Sequence, residues 1–329
     1  MNRLQLRVDA ITAETARIRT LTLSAAAGGA LPGFSAGAHL KLAIPGMAEA
    51  RCYSLLGLGA GTSAGSAAFA RPACYRLGVR LEDASRGGSR HLHQLGVGAL
   101  IEASGPVNDF PLHPAEAGEG PVVLLAGGIG ITPIASMAAA LQAAGRPYVL
   151  HYSGRSRREL AYLPALQALA GDALRLYADD EPAHRLALDA LLDGIAANQH
   201  LYACGPQGLI DALVAGTRAR AWATGRLHFE LFTTAAPQAG DTPFELELRQ
   251  SGLRFTVAAD QTILEAMEAH GYAPLYDCKR GECGVCVAAV LDGVPEHRDY
   301  CLSDAEKAAG RHIQLCVSRA RSPRLVLDL

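Results

Sequence analysis

The chain has 329 residues, of which half are hydrophobic and 19% charged, with a formal net charge of −2. That balance is globular and points to two or three domains. So small a charge removes the electrostatic case for nucleic acid or an anionic membrane surface as partner.

The opening Met1-Asn2-Arg3-Leu4-Gln5-Leu6 has no apolar core and no small-residue cleavage site. No secretory leader is expected, and the chain reads as cytoplasmic. Residues 1–112 read as all-β. Alternating runs such as Ile18-Arg19-Thr20-Leu21-Thr22-Leu23 and Leu40-Lys41-Leu42-Ala43-Ile44 are punctuated by Pro32-Gly33 and Pro45-Gly46, the pattern of short strands joined by turns. Within this region Arg51-Cys52-Tyr53-Ser54 puts Arg51 and Tyr53 on one face of a strand. A guanidinium grips a phosphate with two hydrogen bonds, an aromatic ring packs on a flavin, and Ser54 is suited to hydrogen-bond the flavin edge. Gly87-Gly88-Ser89, after Arg86, is a turn suited to phosphate. Each of these is a common tetrapeptide or turn when taken alone. Residues 57–73, rich in Gly, Ala and Ser, read as a mobile loop.

Residues 113–235 alternate strands and helices. The spacing predicts strands at 122–126, 148–152, 174–177 and 200–203, and helices at 134–143, 159–169, 187–192 and 208–219. Apolar strands between helices indicate a parallel sheet covered on both faces. The charge-free stretch 120–145 is interrupted by Gly127, Gly128, Gly130 and Pro133, so it reads as strand, turn and helix rather than a membrane span. Gly127-Gly128-Ile129-Gly130-Ile131-Thr132-Pro133 lets backbone approach a phosphate at a helix N-terminus. It departs from the GxGxxG pattern, and a plain tight turn is the alternative. Cys204-Gly205-Pro206 ends a later strand, where open parallel sheets bind their ligands. Arg155, Arg157 and Arg158 suit either a 2′-phosphate or a solvated helix start.

Residues 233–243 lack apolar periodicity and read as linker, with the domain borders set at 236–243 for the linker and 244–329 for a small mixed domain. Five of the eight cysteines fall in the last 52 residues. Cys278, Cys283 and Cys286 have C-x4-C-x2-C spacing, with Cys316 thirty residues on, which is the plant-type [2Fe-2S] arrangement. Four thiolates must converge on two irons, so a tight loop supplies three and a remote strand the fourth. Gly281 and Gly284 are expected at positive φ, where the loop curls. A zinc site would more naturally pair two C-x2-C units or add histidines. Cys301 is a rival fourth ligand, read here as a buried thiol packed as a small hydrophobe.

In this order the motifs resemble the phthalate dioxygenase reductase type, which includes the vanillate O-demethylase reductases. Arg51–Ser54 matches its R-x-Y-S flavin motif, Gly87-Gly88-Ser89 its flavin-phosphate loop, Gly127–Pro133 its nicotinamide-side loop, and Cys204-Gly205-Pro206 its C-G-P turn. His228-Phe229-Glu230 looks like the segment that lays an aromatic against the flavin. The resemblance implies a flavin β-barrel, a Rossmann-like NAD domain and a C-terminal β-grasp ferredoxin domain. It implies FMN rather than FAD, NADH with NADPH left open, and the Rieske centre of a terminal oxygenase as acceptor. It also places Ser54, Thr132, Cys204 and Phe229 where hydride passes. The 57–73 stretch is longer than the pattern requires. Rival readings are a partner-independent NADH:acceptor oxidoreductase, a non-enzymatic redox sensor, and a zinc-stabilised nucleotide module.

Overall fold

The computed structural model describes residues 3–58, 69–83, 85, 87–113, 120–223, 225–233 and 237–329. Most of the loop expected over 57–73, Arg86, and residue 236 of the expected linker lie outside the described residues. The chain forms two compact units, one ending at Glu230 and one beginning at Leu231.

The first unit opens with strands β1 (Arg3–Ala13), β2 (Ile18–Ala25), β3 (His39–Leu42), β4 (Arg51–Ser54), β5 (Tyr75–Arg80) and β6 (Leu100–Val107). They form an antiparallel sheet in the order β4-β3-β6-β1-β2-β5. A bridge between Leu55 and Leu77 joins the end of β4 to β5 at the opposite edge, curling the sheet toward a half-barrel. The alternation read from sequence holds: Leu6 and Val8 point inward to join Leu21, Leu23, Leu40, Leu42 and Leu77 in one core. Each such leucine contributes about 1.5–3 kcal/mol relative to exposure. A short helix, α1 (Gly88–Gln94), follows β5.

The same unit continues with parallel strands β7 (Val122–Gly127), β8 (Tyr148–Gly154), β9 (Leu174–Ala178), β10 (Leu201–Cys204) and β11 (Leu227–Glu230). Their order is β11-β10-β7-β8-β9. Helices α2 (Ile131–Ala143), α3 (Leu163–Ala170), α4 (Leu188–Asp193) and α5 (Gln207–Ala219) fall between them or before β11. Every residue of β7 is buried, which is why that strand is a continuous apolar run. The uncharged stretch is therefore β7 and α2, and among the described residues no helix is long and apolar enough to cross a membrane. The helix expected from Glu159 instead begins at Leu163. Tyr162 holds φ at 66°, outside helical space, and Pro164, with no N–H to donate, belongs in a first turn. Residues Arg157–Glu159 form only a 3-10 turn.

The second unit has β12 (Phe244–Leu248), β13 (Leu253–Val257), α6 (Ile263–Ala269), β14 (Val287–Asp292), β15 (Pro295–Glu296), α7 (Asp304–Ala309), β16 (His312–Gln314), β17 (Arg319–Ala320) and β18 (Arg324–Leu327). The main sheet runs β13-β12-β18-β14-β16, with β12 and β18 parallel at its centre, the β-grasp pattern. Thr262 and Glu265 form a capping box that fixes the start of α6. The stretch before β12 is pinned at Asp241, whose carboxylate is only 6% exposed and pairs with Arg298 at 2.5 Å and Arg319 at 3.7 Å.

Candidate functional site

Three sets of residues form sites. In the first unit, β7 and β10 are neighbours in the sheet although β8 and β9 lie between them in sequence. The order in which successive strands are added reverses between them, and the crevice at such a switch point binds ligands. The two loops read from sequence meet there. A Cβ on Gly130 would overlap the Cys204 carbonyl oxygen, and one on Gly127 would lie 2.7 Å from Pro206 Cδ. Glycine at both positions lets the loops touch backbone to backbone. Thr132 and Cys204 are buried, and the Thr132 hydroxyl donates to the Ile129 carbonyl at 3.1 Å. Glu230, which the sequence named in the His228-Phe229-Glu230 segment without a role of its own, is level with Cys204 across the β10–β11 pairing and 4% exposed. Phe229, half-buried on β11, is level with Ala203. The preceding His228 stacks on Tyr202 at 4.3 Å and shares a 2.9 Å ring-nitrogen hydrogen bond with His200. Arg157 is taken up by Glu181 at 2.8 Å.

The barrel motifs also converge. A Cβ on Gly88 would meet Arg51 Cγ at 3.2 Å and the Tyr53 hydroxyl at 3.3 Å, so the Gly87-Gly88-Ser89 turn lies directly on the Arg51–Ser54 strand. Gly87 has φ of 122°, a conformation that glycine alone adopts freely. Burial pushes the Tyr53 phenol up to about 12, so it stays protonated. The Ser89 hydroxyl donates to Ser85 at 3.0 Å, and Ser85 accepts from the Gly87 and Arg90 N–H groups. Ser54 is 5% exposed and its hydroxyl finds no partner among the described residues. A buried hydroxyl without a partner costs about 1–3 kcal/mol, so a polar ligand edge there would remove a penalty.

In the second unit, Cys286 precedes β14 and Cys316 follows β16. Val287 pairs with Gln314, and the Leu315 N–H donates to the Cys286 carbonyl at 3.1 Å. That pairing sets the two cysteines side by side. The Cys278 thiol hydrogen-bonds Cys316 and Cys283. The Cys316 contact, against burial and aided by the Arg280 and Glu282 N–H groups, holds Cys278 down to about 4. Cys286, also bonded to Cys316, is held down to about 7. Cys316 is pushed up because it supplies the shared proton, and burial raises Cys283. Lys279, Gly281 and Gly284 have φ of 55°, 73° and 76°, the curl expected of the loop. A Cβ on Gly281 would lie 2.8 Å from Val317 Cγ2. Among the described residues no three His, Cys, Asp or Glu close on a single metal-ion position. A two-iron cluster instead spreads four thiolates over two metals, and this cage of four linked thiols with two poised toward thiolate fits it.

Cys301 corrects an expectation. It is exposed rather than buried, and its thiol donates to Asp299 at 3.7 Å. Local desolvation and the Asp299 charge push it up to about 12, which disfavours the thiolate a ligand needs. Glu282 is a residue the sequence reading gave no role. Burial pushes its carboxyl up to about 7, and it accepts the Leu231 N–H at 2.6 Å while pairing with Arg280 at 3.0 Å.

Comparison with known proteins agrees with this geometry. Residues 246–321 match the 2Fe-2S iron-sulfur cluster binding domain, and residues 124–215 match the oxidoreductase NAD-binding domain. The cysteine cage and both crevice loops fall inside these matches. Fold, loops and matched domains define an NAD(P)H-dependent oxidoreductase with a flavin-binding β half-barrel and its own [2Fe-2S] ferredoxin domain. The chain is 42% identical over 327 residues to a putative toluene-4-sulfonate monooxygenase system reductase subunit of Comamonas testosteroni, covering 98% of each. It is 41% identical over 327 residues to the heme-dependent oxidative N-demethylase beta subunit of Ectopseudomonas mendocina, covering 99% of each. The crystal structure of phthalate dioxygenase reductase superposes with a TM-score of 0.69 at 33% identity, over 100% of this chain and 98% of that one. The chain belongs to the phthalate dioxygenase reductase-like family.

Proposed function

We propose that this chain is the reductase component of an oxygenase or demethylase system, with NADH as donor, FMN as flavin and a Rieske-type terminal oxygenase as acceptor. The observation that carries the reading is a cage of four linked thiols in the same chain as a nucleotide crevice at a β7–β10 switch point. In this assignment residues 1–112 hold the flavin, 113–235 the dinucleotide, and 244–329 the cluster.

FMN held by these residues would supply two-electron hydride acceptance and a [2Fe-2S] cluster one-electron transfer, the pairing that converts NADH oxidation into single-electron delivery. Arg51 and the Gly87-Gly88-Ser89 turn grip the flavin phosphate. The turn lies against Tyr53, so phosphate grip and ring platform adjoin. Ser54 turns its unpaired hydroxyl to the ring edge. Gly127, Gly128, Gly130 and Pro133, with Gly205 and Pro206, cradle the pyrophosphate of the dinucleotide. Thr132, Cys204 and Phe229 shape the place where nicotinamide meets flavin. Cys278, Cys283, Cys286 and Cys316 hold the cluster. Arg157 pairs with Glu181 at 2.8 Å, which takes one guanidinium away from a 2′-phosphate and favours NADH. No general acid or base is required.

A haem-protein acceptor is the second reading, favoured by the demethylase relative, whose own name specifies heme dependence. Cys283→Ser tests the serial order. It is expected to abolish one-electron delivery to a protein acceptor while sparing NADH-dependent dye reduction. Loss of dye reduction in folded, flavin-loaded protein would refute that order.

A further inference from the structure

Within the first unit, the seam between barrel and parallel sheet holds an arrangement that the cofactor motifs leave unexplained. Thr20 in β2 and Gly78 in β5 are cross-strand partners, so their side-chain positions lie on the same face. Tyr162, from the loop after β8, reaches onto this pair. It is 5% exposed and keeps its positive φ, which is costly for a bulky residue unless its surroundings fix it.

The Tyr162 hydroxyl lies 3.0 Å from Thr20 Oγ1, which donates to Glu14 Oε1 at 2.7 Å. A threonine hydroxyl has one proton and a carboxylate oxygen accepts it, so Tyr162 is the donor to Thr20. The result is a directed chain from Tyr162 through Thr20 to Glu14. Gly78 is not among the glycines at positive φ, so backbone conformation does not require a glycine there. Space does. A Cβ on Gly78 would collide with the Tyr162 hydroxyl oxygen and would lie 2.6 Å from the Thr132 methyl carbon. The neighbouring Leu77 bridges to Leu55, directly after Ser54. The same short stretch of β5 thus touches the start of α2, at Thr132, and the end of the Arg51–Ser54 strand.

We propose that Gly78, Thr20 and Tyr162 form a spacer that sets how closely Thr132 and its glycine loop approach the flavin barrel, with Tyr162 a positioning residue for hydride transfer. The hydride leaves C4 of NADH with both bonding electrons, giving NAD+, and the flavin takes it up. This rests on the placing of NADH and FMN proposed above. A missing methyl group at residue 78 fits against both the Tyr162 hydroxyl and the Thr132 methyl, so a change at residue 78 is partly compensated by removing the Tyr162 hydroxyl.

The test is a cycle of Gly78→Ala, Tyr162→Phe and the double variant in the full holo-chain. Flavin reduction by NADH is followed by rapid mixing, alongside KM for NADH, flavin and iron content, and thermal midpoint. Displacement of about 1 Å at a seam of this kind costs up to about 100-fold. Gly78→Ala is therefore expected to slow flavin reduction at saturating NADH at least about tenfold, with KM and cofactor content nearly unchanged. Adding Tyr162→Phe removes the colliding oxygen while the contact with the Thr132 methyl stays, so the double variant is expected to recover part of the lost rate, at least about threefold over Gly78→Ala. Thermal midpoints should show the same non-additivity. A Gly78→Ala rate equal to wild type, or no recovery of rate or midpoint in the double variant, would overturn the spacer. If Gly78→Ala does not fold, recovery of folding by Tyr162→Phe supports the proposal and continued failure overturns it. Melting of the cofactor-free chain reads the spacer independently. A wild-type chain that NADH does not reduce would sink the functional assignment, whereas additive midpoints would sink the spacer alone.

Discussion

Ser136→Ala gives a worked test of how the nucleotide half braces the flavin strand. Ser136, in α2, is fully buried. Its hydroxyl accepts the Gly57 N–H at 2.7 Å and lies 2.6 Å from the Leu55 carbonyl and 3.2 Å from that of Thr132. It has one proton, and the shorter contact places it on Leu55. Alanine would leave the Gly57 N–H and the Leu55 carbonyl without that partner. A buried group so stranded costs about 1–3 kcal/mol, the carbonyl at the lower end because its second lone pair is commonly unfilled. The total is about 2–4 kcal/mol. For a unit of this size each kcal/mol moves the midpoint by about 2–4 °C, so the first unit should melt roughly 5–15 °C lower. Circular dichroism reads the midpoint, and hydrogen exchange reads local opening at the Gly57 amide. A midpoint within about 1 °C of wild type, with Gly57 still protected, would refute the idea that this hydroxyl staples α2 to the end of β4.

Asp241→Ala should destabilise the second unit by about 1.5–3 kcal/mol at pH 7, the range for hydrogen bonds to charged groups. The Arg298 guanidinium holds the Asp241 carboxyl down to about 2. Because that value lies below the unfolded one, the contribution is present above about pH 4 and is lost as pH falls toward 2. The gap between wild type and variant should close over that window in a pH series of melts. Cys316→Ser should lose the cluster absorbance, whereas Cys301→Ser should keep it. The reverse pattern would make Cys301 the fourth ligand. Gly130→Ala should raise KM for NADH more than about tenfold at unchanged flavin content, because the new methyl overlaps the Cys204 carbonyl. An unchanged KM would remove this loop from the dinucleotide site.

Local patterns carried much of this account. A buried parallel strand must be apolar along its whole length, so β7 was visible as Val122-Val123-Leu124-Leu125-Ala126. Cluster ligation demands three cysteines in one loop, so their spacing was visible too. Errors arose where a local rule was overruled nearby. Apolar periodicity over 159–169 ignored Pro164 and the turn at Tyr162, and the small-residue reading of Cys301 ignored Asp299 two positions away. Contacts between distant residues left no trace. Ser136 with Gly57, Tyr162 with Thr20, and Glu282 with Leu231 are each separated by more than fifty positions, and only the fold brings them together. Strand-end position alone put the Cys204–Pro206 turn near the Gly127–Pro133 crevice, and the fold adds that the two loops touch.

Anaerobic titration of the purified chain with NADH, followed in the visible spectrum, tests the central claim most directly. The account predicts overlapping flavin and iron–sulfur bands that both bleach, reaching completion at about 1.5 NADH per chain, since FMN stores two electrons and the cluster one. A colourless protein, or a flavin band that bleaches at about one NADH per chain while the cluster stays oxidised, would contradict it.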